Sequence, residues 1–261
     1  MGQYVTAERD GALATVTIDR PEKLHALNSE LMAELSAVLD DVVEDGTAVT
    51  VILRSTGDTA FVAGADLSEF DEMADVEAFR AFQEREQALN RQIATLPAVV
   101  VAAVDGIAYG GGFEVTLAAD IIVAGESAEF GFPEVTRGLI PGATYGAQWL
   151  PRLVGLPKAI ELIAGGEPIG AREAARLNVV NRVVADDAVD EAATDLAETL
   201  SSNAPLAVRA AKRVCTQSAY GDLSTVLEYG TEVTTRLFET ADAAEGIRAF
   251  VDGDEPTFEG R

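Results

Sequence analysis

Apolar residues along the chain follow two alternating rhythms. Across residues 12–18 small or apolar residues interleave with Thr15 and Thr17, the period-two pattern of a strand. Leu31, Leu35, Val38 and Val42 then recur at helical spacing, behind an Asn28-Ser29 pair suited to cap a helix start. Residues 49–53 read as a second buried strand, and the charged stretch 77–96 predicts a helix. The runs 98–104 and 121–124 are short and rich in apolar, β-branched residues, so both predict buried strands; 179–184 predicts a further one. From about Asp190 only alanine-rich helical patterns remain. Pro205 suits the first position of one helix and Asp242 the cap of the last. The polar tail, residues 252–261, is expected to be loosely ordered.

Strands thus alternate with helices through three quarters of the chain, and helices alone follow. This predicts an α/β fold: a core over residues 1–195 and a helical module over 196–261. The apolar runs fall short of the roughly 18–20 residues that cross a bilayer. The opening residues show no basic region followed by an apolar block, so a cytoplasmic location is expected.

Charge narrows the possible partners. The chain carries 44 acidic against 19 basic residues, a net −25. Such a surface repels nucleic-acid backbones and anionic membranes. The acids are spread along the chain, and Lys23, Lys158 and Lys212 are its only lysines. That pattern fits a protein adapted to high salt, where a short Debye length screens self-repulsion. Cys215 and His25 stand alone in their kinds, so a disulfide, a thiolate metal cluster and a Ser-His-Asp triad all lack parts. Cys215 is expected to be a small core residue.

The most informative stretch is 98–124. A strand enters, Gly110-Gly111-Gly112 turns, and an apolar helix leaves. Amides at a helix start point outward with partial positive charge and suit an anion, including one that exists only in a transition state. Neither GxxxxGK[ST] nor GxGxxG fits, so a phosphate loop is disfavoured. Glu114 is the only charged residue between Gly106 and Ala119, and its helix is otherwise apolar. A buried carboxylate is costly enough to need a salt bridge, a helix dipole or a function. Glu134 sits in a second apolar stretch, Phe130-Gly131-Phe132-Pro133-Glu134-Val135, and taken alone reads as a solvated loop residue.

Together these segments resemble the enoyl-CoA hydratase/isomerase (crotonase) superfamily. Four motifs in order carry the resemblance: Arg20-Pro21-Glu22-Lys23-Leu24-His25-Ala26-Leu27-Asn28, then Phe61-Val62-Ala63-Gly64-Ala65-Asp66-Leu67, then the glycine turn with Glu114, then Phe238-Glu239-Thr240-Ala241-Asp242 through Gly246. The resemblance implies a spiral of ββα units and C-terminal helices that build trimers or hexamers. It maps two oxyanion-holding amides onto Ala63 and Gly111, and the two hydratase glutamates onto Glu114 and Glu134. It implies an acyl-CoA substrate, with coenzyme A lying along Lys23, Ala26, Ala65, Asp66, Leu67 and Gly142, and no separate cofactor or metal. Arg20 and Lys23 fall near its nucleotide part. Asp66 through Glu69 also has capping-box spacing, so Asp66 is expected to cap a helix.

The chain departs from the family pattern at three places. His25 replaces a usual Asn and is expected to pack or hydrogen-bond locally. Ala143-Thr144-Tyr145-Gly146 replaces Ala-Gly-Gly-Thr, and bulky Tyr145 is expected to narrow the acyl pocket. Val251-Asp252-Gly253-Asp254 replaces C-terminal basic residues that contact coenzyme A. The function expected is hydration of an enoyl-CoA in fatty-acid or branched-chain acyl breakdown. An enoyl-CoA isomerase or a dedicated hydroxyacyl-CoA dehydratase is the alternative on the same scaffold. An RNA-binding role is disfavoured by the charge. A thioesterase or peptidase is disfavoured by the lack of a nucleophile beside a usable histidine.

Overall fold

The computed structural model describes residues 2–73, 75–142, 145–219 and 221–261. A six-stranded sheet runs in the order β1 (Val5–Asp10), β2 (Leu13–Ile18), β3 (Thr50–Ser55), β5 (Val99–Val104), β7 (Ile121–Gly125), β10 (Arg182–Val184). Only β1–β2 pairs antiparallel in it. A smaller sheet runs β4 (Ala60–Val62), β6 (Ile107–Tyr109), β8 (Glu129–Gly131), β9 (Ile169–Gly170). The helices are α1 (Ser29–Glu44), α2 (Leu67–Glu72), α3 (Val76–Thr95), α4 (Gly111–Ala118), α5 (Gly146–Val154), α6 (Leu156–Gly165), α7 (Ala171–Arg176), α8 (Val189–Ser201), α9 (Pro205–Ser218), α10 (Leu223–Phe238) and α11 (Ala241–Asp252).

One unit repeats. A strand of the large sheet leads to a strand of the small sheet and then to helix: β3, β4 and α3; β5, β6 and α4; β7, β8 and α5. Each turn of this spiral adds one parallel strand to both sheets. This is the expected α/β spiral of ββα units.

The central strand explains why the run 98–104 is apolar throughout. All six residues of β5 are buried, because both faces of the large sheet are covered. One face meets α8 through Ile52, Val101, Ala103 and Val123 against Val189, Ala193, Leu196 and Ala197. The other face joins the main core with Leu31, Leu35, Phe82, Leu89, Ile93 and Phe113. The junction expected at 195/196 therefore falls inside α8, whose Leu196 and Ala197 belong to the sheet's own cover. α9 follows, reaching the start of β5 through Lys212, which donates to Ala98 O at 2.9 Å.

Three further expectations are corrected. The cap of α11 is Thr240, whose hydroxyl accepts the Ala243 N–H; Asp242 instead accepts the N–H groups of Glu259 at 2.7 Å and Gly260 at 2.9 Å. The tail is consequently tied back onto α11 and is not loose. Cys215 is exposed, on the edge of a cleft it shares with Thr116 and Trp149. Among the described residues no helix is long and apolar enough to cross a membrane.

Candidate active site

The glycine turn is held at both ends. The Gly110 N–H donates to Gly131 O at 2.9 Å, and Gly110 O accepts the Glu114 N–H at 3.0 Å. Gly110 adopts φ 54° and ψ −125°, a conformation that favours glycine. A Cβ there would stand 3.0 Å from Glu134 Oε1 and 3.8 Å from Gly64 Cα. Gly64, at φ 115°, packs equally close: its Cβ would stand 3.1 Å from Tyr109 O. Two turns, 63–65 and 109–111, therefore touch backbone to backbone.

This contact corrects one expected donor. The Ala63 N–H is already given to Leu24 O at 3.1 Å. Leu27 bridges to the next residue but one by donating to Gly64 O and accepting the Asp66 N–H, both at 2.7 Å, which turns the Ala65 amide the other way. Ala65 and Gly111 each carry an N–H with no partner among the described residues, as does Gly64 between Ala63 and Ala65. Gly111 is the first residue of α4, where an unpaired amide is expected.

A cavity of about 390 Å³ opens beside these amides. Ala63, Gly64, Ala65, Leu67, Gly111 and Gly142 line it, and so do Glu114 and Glu134. Its apolar wall comes from Phe70, Phe79 and Phe82, a cluster of edge-on rings, and from Leu139, Ile140 and Pro141. A larger cleft of about 540 Å³ lies between the end of α3 and helices α9 and α10. It is lined by Arg209, Lys212, Arg213 and Arg236 and, among the described residues, by no carboxylate.

Glu114 is buried, and its Oε1 accepts two amides, Gly146 at 2.8 Å and Tyr145 at 3.1 Å. Glu134 is not a solvated loop residue. It opens a short 3-10 turn, Pro133–Arg137, and its Oε2 is buried without a partner among the described residues. Burial pushes its carboxyl up to about 7, against the pull of its own amide; Glu114 adds to the rise and Arg137 opposes it. A carboxyl that titrates near neutrality can both give and take a proton at working pH.

A third carboxyl escaped the sequence reading. Glu86 projects from α3 into the same cavity and is 4% exposed. A Cβ on Gly111 would overlap its Oε1, so the carboxyl lies directly against the glycine turn. Burial, then Glu114 and then Glu134, push it up to about 8. A signal was available: Phe82, Glu86, Leu89 and Ile93 share the buried face of α3, and a glutamate in that stripe is out of place.

The expected coenzyme A residues divide. Ala65, Leu67 and Gly142 face the cavity. Asp66 caps α2 as expected, accepting the Ser68 N–H at 3.0 Å, but its carboxylate also takes the buried Arg20 guanidinium at 2.7 Å. The two side chains are paired with each other and lie outside the lining of this cavity. Glu69 does not complete a capping box; it crosses to the Ser29 N–H at 2.8 Å. Ala26 O accepts from Arg20 at 2.7 Å, outside the cavity wall. Lys23 is exposed, with Nζ 3.4 Å from Ser68 Oγ beside the rim residue Leu67.

Two of the departures have local explanations. His25 is buried, takes the Arg20 N–H on Nδ1 at 3.0 Å and meets Thr56 O through Nε2 at 2.9 Å. Tyr145 is absent from the lining of the acyl cavity among the described residues: its ring lies in a different cleft against Trp149, and its amide reaches the site at Glu114. The preceding Ala143 and Thr144 lie outside the described residues.

Known proteins are similar to this chain along its whole length. Residues 8–261 match the family model described as enoyl-CoA hydratase/isomerase. A short-chain-enoyl-CoA hydratase of Clostridium acetobutylicum is 38% identical over 95% of this chain and 94% of its own. A crotonyl-CoA hydratase of Syntrophomonas wolfei is 33% identical over 98% of both. The crystal structure of an enoyl-CoA hydratase from Bacillus anthracis superposes with a TM-score of 0.95 at 35% identity, covering 99% of this chain and 100% of that one. Two touching glycine turns, two glutamates in one cavity and similarity from end to end agree: this chain belongs to the enoyl-CoA hydratase/isomerase family.

Proposed function

We propose that this protein is an enoyl-CoA hydratase, adding water reversibly across the 2,3 double bond of an enoyl-CoA thioester. The observation that carries this reading is the meeting of Glu114 and Glu134 in one cavity beside two unpaired amides. The thioester oxygen is held by the N–H groups of Ala65 and Gly111, which stabilise the negative charge it gains as the double bond is attacked. Water loses a proton as its oxygen bonds to C3, and C2 gains a proton; the two carboxyl groups end in the protonation state in which they began. Glu134, titrating near neutrality, suits the proton transfer. Glu114, fixed by two amides, suits the holding of the water.

Coenzyme A enters as part of the substrate, and the reading calls for no separate cofactor. The setting that fits is fatty-acid or branched-chain acyl-CoA breakdown. Assembly into trimers or hexamers through the C-terminal helices belongs to the same reading. It is supported by large apolar side chains left open there, among them Phe238 at 72% and Phe250 at 89% exposure.

The test follows loss of the conjugated-enone absorbance of crotonyl-CoA at high salt. Wild type should hydrate the ester, and Glu114→Gln and Glu134→Gln should each lose roughly 10²–10⁴-fold in kcat. A folded wild type that only shifts a double bond in a longer ester would make the protein an isomerase.

A further inference from the structure

Hydration as proposed uses two carboxyl groups, yet the cavity holds three. Glu86 stands on the α3 wall of the cavity, beside its apolar lining. Phe82 and Phe79 lie on its N-terminal side along the helix, and Phe70 packs edge-on against both rings. Gln83, one turn before Glu86, lines the same wall. An unsubstituted alkyl chain has nothing to offer either group. Burying a carboxyl there costs free energy that an aliphatic residue would not, and the free energy is recovered only when a partner accepts its proton.

Two of the ionisable groups that share its cavity, Glu114 on α4 and Glu134 on the 3-10 turn, act against its charge, and the third, Arg137, acts on Glu134. Along the other flank of α3, α1 offers Ser36 and Asp40, which are taken up by Gln92. No salt bridge reaches Glu86 among the described residues. Burial and the two neighbouring carboxyls therefore favour its protonated form, and a neutral carboxyl is a hydrogen-bond donor.

We propose that Glu86 is a specificity-determining residue, donating a hydrogen bond to a neutral oxygen on the acyl chain, so that the cavity selects enoyl-CoA esters bearing a hydroxyl or carbonyl substituent over plain alkyl ones. The inference rests on the hydratase reading. A site built to pair with a substrate oxygen discriminates against the analogue that lacks it, because the buried polar group is then left unpaired. Carboxylate-bearing acyl groups are disfavoured, since Glu114 and Glu134 repel them.

The experiment compares kcat/KM for crotonyl-CoA and 4-hydroxycrotonyl-CoA in wild type, Glu86→Gln and Glu86→Leu. Wild type should favour the hydroxylated ester by on the order of 10- to 100-fold. Glu86→Gln, whose amide can still donate, should keep that preference, and Glu86→Leu should reverse it. The preference of wild type should also fade as pH rises through about 8, where Glu86 ionises, while that of Glu86→Gln should persist. The ratio is internal to each variant, so partial unfolding cannot imitate the result. If wild type favours crotonyl-CoA, or if Glu86→Leu keeps the wild-type ratio, the inference is overturned. If wild type hydrates both esters equally, the inference falls and the hydratase reading stands. If it hydrates neither, both fall.

Discussion

The Gly146 N–H donates to Glu114 Oε1 at 2.8 Å, so the start of α5 holds the carboxylate of α4 in place across the cavity. Glycine at 146 leaves room for that approach. A Cβ there would stand 3.0 Å from Glu114 Oε1 and 2.5 Å from Pro141 Cβ. Gly146→Ala should therefore displace Glu114 without removing it. The expected outcome is a fall in kcat of about 10-fold or more with little change in KM, because a small misplacement of a positioned group costs rate more than binding. Steady-state kinetics with crotonyl-CoA checks this, and a pure KM effect would count against the positioning role.

Gly64 carries the other turn. At φ 115° an alanine is strained, and its Cβ would press on Tyr109 O. Gly64→Ala should cost about 1–3 kcal/mol of stability and, by tilting the Ala65 amide, reduce kcat. Denaturant unfolding with kinetics on the same samples separates the two effects. Unchanged kcat would argue that Ala65 does not hold the thioester oxygen.

Lys212 and Asp120 form a largely buried ion pair at 2.7 Å, tying α9 to the end of α4. Lys212 also donates to Ala98 O at 2.9 Å, and Asp120 accepts the Val100 N–H at 2.7 Å. Burial lowers the lysine and raises the aspartate, with the pairing opposing each shift, so desolvation outweighs attraction at both partners. Lys212→Met should destabilise by about 3–5 kcal/mol, because it strands a buried carboxylate. The double variant Lys212→Met, Asp120→Asn should recover part of that loss in a thermal or urea melt.

Stability should depend on pH through Glu86 and Glu134. Both carboxyls are raised in the folded chain, to about 8 and about 7, above the ordinary value of 4.5. The folded state therefore binds more protons than the unfolded one between those values. The contribution is fully present below the ordinary value and is lost as pH rises through about 7 to 8. Glu86→Gln should flatten this decline, gaining on wild type as the pH is raised. Parallel stability curves for the two proteins would falsify the assignment.

Net charge sets the salt response. At −25 the folded chain repels itself, and only ions in solution shorten the range of that repulsion. Tm and hydratase activity should both rise steeply with added KCl. Full folding and activity at very low ionic strength would remove the case for salt adaptation.

Much of the fold could be read from periodicity, because each element solves a local problem. The run 98–104 is apolar at every position since β5 is covered on both faces. Asn28 caps α1 through its own side chain, accepting the Leu31 N–H at 2.8 Å, and the sequence shows the pair. Glu114 was conspicuous as a lone charge in an apolar helix. These features depend on neighbours within a few residues, or on burial that composition reveals.

What the sequence could not decide depends on contacts between distant segments. Asp242 has the chemistry of a helix cap, yet the returning tail claims its carboxylate. Tyr145 looked like a wall of the acyl pocket until its ring turned toward Trp149 and left its amide at Glu114. Ala63 and Ala65 are the same residue type two apart, and only the pairing of Ala63 with Leu24 shows which amide is spent. Glu86 was hidden in a charged helix, where one acid among several says nothing about which face meets the core. Local pattern determined the elements and singled out Glu114, and the family resemblance added Glu134; tertiary packing decided where each side chain points and which hydrogen-bonding groups remain free for substrate. The physical reason is that a residue's own chemistry sets what it can bond to, and only the folded neighbourhood sets what it does bond to.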